Sequence, residues 1–247
     1  MTATLRQTLF VVAFLSQGAN QLCAAGADEL FHRGVAAYRG GDYSAAAKAF
    51  GESVALEPAS GTLQNLALAE WHRKRIGPAI QAWEQALWLD PFNDAASGNL
   101  QFARKAAQLE APEAAWYEVA SMWLPANWWV WIAGGSLGFT VAMMVLPSFL
   151  RWRKAGWQQA LATGGLMVFL LSLPAQVGVH TRSRIGFVLE NGTLLRLTPT
   201  QEAQTVTQLG AGEPARWERI RGSYVLIRTR HGAGWLEKDQ LGLVCAR

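Results

Sequence analysis

Histidine and cysteine, the residues best suited to acid–base, nucleophilic and metal chemistry, are few and scattered in this 247-residue sequence. The histidines are His32, His72, His180 and His231, and they form no metal-ligand spacing. Cys23 and Cys245 lie at opposite ends of the chain, and neither has a plausible base to activate its thiol. We therefore predict no catalytic residue, no metal site and no cofactor.

Two short patterns resemble functional motifs, and each has a simpler structural explanation. The glycines of Gly210-Ala211-Gly212 do not join a strand to a phosphate-binding helix. Asn191-Gly192-Thr193 matches a glycosylation acceptor, but Asn-Gly is also a preferred pair for a tight turn between strands. The sequence contains no nucleophile elbow. It therefore predicts a protein that is not an enzyme.

The formal net charge of +4 does not indicate a nucleic-acid partner. A nucleic-acid-binding protein gathers Lys and Arg into a patch that matches phosphates. Here the tightest basic group, Arg151, Arg153 and Lys154, lies between two apolar runs, and the remaining charges are mixed. We therefore expect that the protein does not bind nucleic acid.

Two uncharged apolar runs are each long enough to cross a lipid bilayer, which needs roughly 20 residues. They cover residues 128–150 and 157–179, and a basic loop at 151–156 separates them. Tryptophan prefers the headgroup region of a membrane, and the chain places many tryptophans near these runs: Trp116, Trp123, Trp128, Trp129, Trp131, Trp152 and Trp157. We predict two transmembrane helices, with the lipid bilayer as a partner.

The orientation of this predicted hairpin follows from two separate features. Residues 1–27 have the form of a signal peptide, with Arg6, an apolar stretch at 9–15 and a small-x-small cleavage pattern at Ala25-Gly26-Ala27. Basic residues in short loops stay in the cytoplasm, which places the loop 151–156 inside. Both features predict that the two large soluble parts lie outside the cytoplasm.

Small residues recur at a four-residue spacing in both predicted spans. The first span has Gly134 and Gly138, and the second has Ala160 and Gly164. Such spacing lets two helices approach closely in lipid. We expect these residues to pack the two helices against each other; the alternative is that they dock on another membrane protein.

A helical pattern with a period of about 34 residues follows the signal. The first copy has Gly34, Ala46, Phe50 and Pro58, and the second has Ala67, Ala79, Trp83 and Pro91 at matching places. Asn65-Leu66 recurs as Asn99-Leu100 and opens a third, partial unit. The pattern resembles the tetratricopeptide family over residues 28–110, and this resemblance implies pairs of helices stacked into a solenoid.

The same resemblance implies a groove, lined by the first helix of each pair, that binds a peptide or helix of a partner protein. Carried onto this sequence, the groove positions are His32, Val35, Tyr38, Arg39, Asn65, Leu68, Trp71, His72, Asn99 and Phe102. For Leu68, Trp71 and Phe102 the alternative is that they pack the inside of the solenoid.

Residues 111–127 are expected to form a linker or interfacial helix.

In residues 180–247 the apolar pattern changes to that of short strands. Asn191-Gly192 predicts a hairpin between 186–190 and 193–197, in a domain of about five strands. The segments 209–214 and 234–237 resemble the bacterial SH3-like domain, which is a small all-β barrel. That resemblance implies a binding surface with Trp217 and Tyr224, and a core position for Trp235.

The order of these parts resembles the BatE-type proteins of the Bat aerotolerance operon in Gram-negative bacteria. The expected fold class is a multidomain membrane protein with an α-solenoid, a transmembrane hairpin and an SH3-like barrel. The resemblance implies an inner-membrane complex with Bat proteins that carry von Willebrand A domains, and indirectly with a MoxR-type ATPase.

Two functions remain open from the sequence. One is a scaffold that holds the periplasmic parts of partner proteins. The other is an envelope sensor whose SH3-like domain binds a cell-wall or small-molecule ligand. A sensor needs a cytoplasmic output, and the short inner loop at 151–156 favours the scaffold.

Overall fold

A computed structural model of the protein describes residues 25–149 and 156–245. Most of the predicted signal peptide and nearly all of the predicted cytoplasmic loop lie outside the described residues. The described residues form eight α-helices followed by a seven-stranded antiparallel sheet. This architecture confirms the expected combination of a helical part, two long apolar helices and a β part.

Five helices form the N-terminal part, and we refer to them as the repeat helices. They are α1 (25–39), α2 (Tyr43–Leu56), α3 (Ser60–His72), α4 (Ile76–Leu89) and α5 (Asp94–Ala106). Helix α2 contacts α3, α3 contacts α4, and α4 contacts α5. The helices therefore stack in chain order.

The boundaries of the repeat helices have local causes. The Asp42 carboxylate accepts a hydrogen bond from the Ala45 N–H at 2.9 Å and caps α2. The Asn93 amide oxygen accepts one from the Ala96 N–H at 3.0 Å and caps α5. Proline lies just beyond the ends of α2 and α4, where it cannot continue a helix.

The small and aromatic residues of the 34-residue pattern are buried between the helices. A Cβ built at Gly34 would lie 2.6 Å from a ring carbon of Phe50, so only glycine fits against this ring. Ala67 and Ala79 are fully buried, and Trp83 is 1% exposed. The period in the sequence therefore marks the positions where neighbouring helices pack.

Helices α7 (Ala126–Phe149) and α8 (Gly156–Arg182) pack against each other and are long and apolar enough to cross a membrane. Only 11% of the apolar window of α7 and 22% of that of α8 are buried, whereas a core helix of a soluble protein is mostly buried. The short helix α6 (Trp116–Ser121) lies against the end of α8. A Cβ at Gly178 would lie 2.1 Å from the Tyr117 carbonyl oxygen, so glycine permits this contact.

The small residues expected to join α7 and α8 lie on exposed faces: Gly134, Gly138, Ala160 and Gly164. No described atom lies within 4 Å of a Cβ built at any of these three glycines. The helices instead meet at Gly165, where a Cβ would lie 2.5 Å from the Thr140 hydroxyl. That hydroxyl also donates to the Ala162 carbonyl oxygen at 3.4 Å, so a hydrogen bond between α7 and α8 accompanies their close approach at Gly165. The expectation of close packing through the four-residue spacing was therefore wrong.

The sheet consists of short strands in the order β3-β2-β6-β5-β4-β1-β7. The strands are β1 (Ile185–Val188), β2 (Thr193–Arg196), β3 (Thr205–Leu209), β4 (Pro214–Arg221), β5 (Tyr224–Thr229), β6 (Gly232–Glu237) and β7 (Leu241–Leu243), with a 3₁₀ turn (Lys238–Gln240) before β7. Leu209 of one edge strand and Leu241 of the other belong to the same buried cluster. The sheet therefore curls around a single core.

The predicted hairpin at Asn191-Gly192 does not form, and seven strands are present rather than about five. Strand β1 pairs with β4 and β7, so both of its edges are occupied, while β2 pairs with β3 and β6. Gly192 has φ +79°, as its place in a turn requires. The Asn191 side chain accepts a hydrogen bond from the Ala211 N–H at 2.8 Å and holds a neighbouring loop instead.

Hydrogen bonds join the repeat helices to an edge of the sheet. The side-chain amides of Gln81 and Gln85 in α4 donate to the Leu243 carbonyl oxygen at 3.2 and 2.8 Å. An uncovered edge strand offers unpaired backbone groups to other chains. Helix α4 covers the β7 edge in this way.

Apolar packing joins the same two parts. Ile185 and Phe187 of β1 are buried in one cluster with Ile80 and Trp83 of α4. The helices before α7 and α8 and the sheet after them therefore share a core. Because they touch directly, both lie on the same side of any membrane that α7 and α8 cross.

Candidate functional site

An aromatic row crosses the repeat helices, and it consists of Tyr38, Tyr43, His72, Trp71 and Phe102. The rings of Tyr38 in α1 and His72 in α3 are 5.6 Å apart, and Tyr43 stacks on His72 at 4.4 Å. Trp71 in α3 meets Phe102 in α5 at 6.1 Å. Burial, followed by the neighbouring Tyr43, raises the pKa of Tyr38, so this phenol stays neutral at ordinary pH. The row therefore links the first helix of each repeat unit.

The groove positions taken from the tetratricopeptide resemblance all keep some exposure on α1, α3 and α5. His32, Arg39, His72 and Phe102 are exposed, and Val35, Tyr38, Asn65, Leu68, Trp71 and Asn99 are half-buried. Leu68 and Trp71 pack partly against the core, whereas Phe102 is 63% exposed. Exposed aromatic side chains backed by a packed surface are typical of protein-binding sites.

Exposed cations lie close in sequence to the aromatic row. Arg39 follows Tyr38, Lys74 lies two positions after His72, and Lys105 lies three positions after Phe102; none of the three forms an ion pair within the part of the chain that the structure describes. The carboxylate of Glu70, by contrast, is engaged by Arg73 at 3.0 Å and by Arg75 at 3.5 Å. The accessible surface beside the row therefore suits a partner with acidic side chains.

The outer face of the sheet carries Trp235, and Trp217 packs against the buried cluster inside. Gly234 and Leu236 are buried, so the alternation of side chains along β6 turns the half-buried Trp235 outward. Tyr224 is half-buried as well. The expected core position of Trp235 was therefore wrong, and the alternation of Gly234-Trp235-Leu236 was the signal that could have shown it.

An ion pair fastens α6 to the sheet. Arg216 in β4 donates to both carboxylate oxygens of Glu118 at 2.7 Å and to the Glu113 carbonyl oxygen at 2.8 Å. Glu118 is 1% exposed. Its burial raises the pKa, but hydrogen bonds from Arg216, from the Ala115 N–H and from Thr181, with the charge of Arg216, lower the pKa to about 2. The carboxylate is therefore ionised and paired.

A second contact fastens the end of α8 to the repeat helices. The Arg182 guanidinium lies 5.1 Å from the centre of the Trp88 ring in α4 and donates to the Ser121 hydroxyl at 3.2 Å. In the same region Arg104 pairs with Glu84. Burial raises the pKa of Glu84, while the charges of Arg104 and Arg182 act in the opposite direction.

Sequence reasoning missed these polar contacts because they join distant parts of the chain. Glu118 and Arg216 are 98 positions apart. No local spacing can indicate such a pair. The only local signal was that Glu118 interrupts an otherwise apolar and aromatic segment.

The described residues contain no group of three or more His, Cys, Asp and Glu side chains placed to hold a metal ion. The aromatic row and the sheet surface instead offer rings, amides and cations, which are binding groups. Comparisons with models of known protein families and with curated proteins found no match for this chain.

Proposed function

We propose that this protein is a non-enzymatic membrane scaffold whose groove on α1, α3 and α5 binds a segment of a partner protein. The observation that carries this proposal is the aromatic row, in which Phe102 is 63% exposed while its ring contacts Trp71. A large apolar ring gains free energy when a partner removes it from water. The neighbouring cations select a partner segment that carries acidic residues.

We also propose that the repeat helices form a tetratricopeptide-like solenoid and that the sheet is an SH3-like barrel. The buried 34-residue pattern supports a tetratricopeptide-like solenoid, and the curled sheet with one shared core supports an SH3-like barrel. In this proposal the sheet presents Tyr224 and Trp235 on its outer face as a second protein-binding surface. Trp217 contributes to the stability of the sheet rather than to binding.

The hairpin of α7 and α8 anchors the scaffold in the membrane, and α6 lies at the lipid–water boundary. Trp116 and Trp123, within and just after α6, are 71% and 72% exposed, and Trp128 and Trp131 at the start of α7 are 60% and 78% exposed. Exposed indole rings at this level of a hairpin are typical of the headgroup layer. Glu118, on the opposite side of α6, is buried against the sheet.

The proposed location is the inner membrane of a Gram-negative bacterium, with both soluble parts in the periplasm. The signal-like N-terminus and the basic loop support this orientation. The order of the parts supports a role like that of the BatE-type proteins. The proposed partners are therefore Bat proteins with von Willebrand A domains, with a MoxR-type ATPase engaged indirectly.

The test is a crosslinked pull-down from native membranes with the full chain and a Phe102→Ala variant. We expect membrane proteins with von Willebrand A domains to co-purify with the unaltered chain, and their yield to fall about tenfold or more with the variant. Loss of a central aromatic anchor commonly costs at least 2 kcal/mol of binding free energy, which corresponds to such a decrease.

Phe92→Ala provides a matched control for this experiment. Phe92 is 65% exposed, much like Phe102, but it lies in the turn between α4 and α5. Its substitution should leave the yield unchanged. Equal yields from both variants, or no enrichment of A-domain proteins with the unaltered chain, would contradict the proposal.

A further inference from the structure

A cleft of about 250 Å³ separates the extended segment 109–113 from the ends of β4 and β5. Leu109 and Pro112 provide apolar surface on one wall, and Pro214 provides it on the other. Charged residues of both signs line the same space: Arg216, Arg228, Arg230, Glu110, Glu113 and Glu213. The volume is just below the usual range for small-molecule sites, so only a small ligand fits. Because Arg216 is engaged by Glu118, Arg228 and Arg230 are the cations that a ligand can reach, and the apolar walls beside them suit a small anion with an apolar body.

The two cations have partners that a ligand can replace. Arg230 pairs with Glu110 at 2.9 Å across the cleft, with side chains 50% and 76% exposed. Arg228 pairs with Glu218 at 2.8 Å, with side chains 67% and 38% exposed. Exposed ion pairs of this kind contribute little stability because water and salt screen them. A ligand carboxylate can therefore take the place of Glu110 at Arg230 at low cost.

The rest of the cleft is held in place. Arg216 is fixed by Glu118, which is 1% exposed, and by the Glu113 carbonyl oxygen, so segment 109–113 is tied to the sheet. The Glu213 side chain is engaged by the Gly210 N–H at 2.9 Å. The walls are thus fixed in the free protein, and binding requires only the exchange of surface ion pairs.

We infer that this cleft binds a small carboxylate with an apolar body, which is either a free organic acid or the C-terminal residue of a peptide. The carboxylate contacts Arg228 and Arg230, since guanidinium groups bind carboxylates through paired hydrogen bonds. The apolar body lies against Leu109, Pro112 and Pro214. This site is separate from the aromatic row, so it goes beyond the scaffold role.

The inference can be tested by isothermal titration of the purified full chain in detergent with two probes. N-acetylleucine carries a free carboxylate, and N-acetylleucinamide has the same body without the charge. We expect saturable binding of one equivalent of N-acetylleucine, and binding of the amide at least about tenfold weaker, as the loss of charge-assisted hydrogen bonds implies. No saturable binding of the acid in the millimolar range, or equal binding of acid and amide, would overturn the inference.

Two variants test the residues that carry it. An Arg228→Gln, Arg230→Gln double variant should bind N-acetylleucine at least about tenfold more weakly. Glu110→Gln should bind it more tightly, because it removes the carboxylate that competes for Arg230. Arg221 is an exposed arginine of the same sheet outside the cleft, and Arg221→Gln should leave the affinity for N-acetylleucine unchanged. Unchanged affinity in the double variant would overturn the site.

The two sources of the carboxylate are distinguished by a peptide probe. If N-acetyl-Ala-Ala-Leu binds as tightly as N-acetylleucine, the cleft admits a peptide C-terminus. If only N-acetylleucine binds, the cleft takes a free small acid. Both results support the inferred chemistry, and neither depends on the partner of the aromatic row.

Discussion

One buried carboxylate, Glu118, holds the short helix α6 to the sheet through Arg216. Both oxygens of Glu118 accept hydrogen bonds at 2.7 Å, and the lowered pKa of about 2 keeps the pair charged. Removing one partner of a buried ion pair leaves the other charge without compensation, and this destabilises the protein more than replacing both partners with apolar residues. The stability of the α6–sheet contact should therefore depend on pH.

We predict that Glu118→Gln lowers the free energy of unfolding by about 2 kcal/mol at pH 7, after allowance for solvent around the half-exposed Arg216. The folded-state pKa is below the ordinary value of 4.5. The charge therefore stabilises the fold above about pH 4.5, and its contribution is lost as the pH falls towards 2. By pH 3 the gap between variant and unaltered protein should shrink by about half.

Urea unfolding in detergent at pH 7 and pH 3 measures this gap. Glu29→Gln is the control, because the ion pair of Glu29 with Arg33 is exposed. The Glu29 side chain is 77% exposed and the Arg33 side chain is 63% exposed. That variant should behave like the unaltered protein at both pH values. If Glu118→Gln lowers the free energy of unfolding by the same amount at pH 7 and pH 3, the pair does not stabilise the protein through its charge.

At the scale of elements, the docking of α4 on the sheet includes a close approach of two backbones at Gly77. A Cβ at Gly77 would lie 2.3 Å from the Leu189 carbonyl oxygen and 2.5 Å from that of Val188. Backbone atoms at these distances cannot move aside as a flexible side chain can. Any side chain at Gly77 should therefore push α4 away from β1.

We predict that Gly77→Ala destabilises the protein by about 1–3 kcal/mol, as overpacking of a core does. It should also speed hydrogen exchange at the amides of β1 and β7. Gly61→Ala is the matched control, since no described atom lies within 4 Å of its added Cβ and alanine favours the helix. Thermal unfolding in detergent and hydrogen exchange measure both effects. Equal exchange in β1 for the two variants would rule out the close approach.

The elements themselves were largely predictable from the sequence, while their contacts were not. The period of the small and aromatic residues locates helices because it reflects burial on one face, and Gly34, Ala67 and Trp83 are indeed buried. The partner of a strand or a helix face depends on residues far along the chain. Asn191-Gly192 therefore marks a turn without revealing that β1 pairs with β4 and β7.

The candidate site shows the same division. The groove positions came from the tetratricopeptide resemblance, and in the structure they lie on α1, α3 and α5 with some exposure. The small-residue spacing in the spans did not reveal which faces meet, because α7 and α8 join at Thr140 and Gly165. The cleft beside Arg228 was not foreseeable, since it exists only where segment 109–113 reaches the sheet.

At the scale of the whole molecule, the repeat helices and the sheet form one body although α7 and α8 separate them in the chain. They share the buried cluster of Trp83 and Phe187, and α6 and α8 connect this body to the hairpin. In the proposed scaffold, a partner bound at the aromatic row would thus be held at a fixed position relative to the membrane. This arrangement suits a scaffold, because binding positions the partner without further change in the protein.

Cysteine labelling in spheroplasts, with a maleimide that cannot cross the inner membrane, tests the proposed topology of the scaffold directly. Cys23 and Cys245 are replaced by serine, and single cysteines are placed at Arg39 in the repeat helices, Arg221 in the sheet and Arg153 in the predicted inner loop. We expect the cysteines at positions 39 and 221 to be labelled before lysis, and the cysteine at position 153 only after lysis. Labelling of positions 39 and 221 from opposite sides of the membrane would contradict this topology.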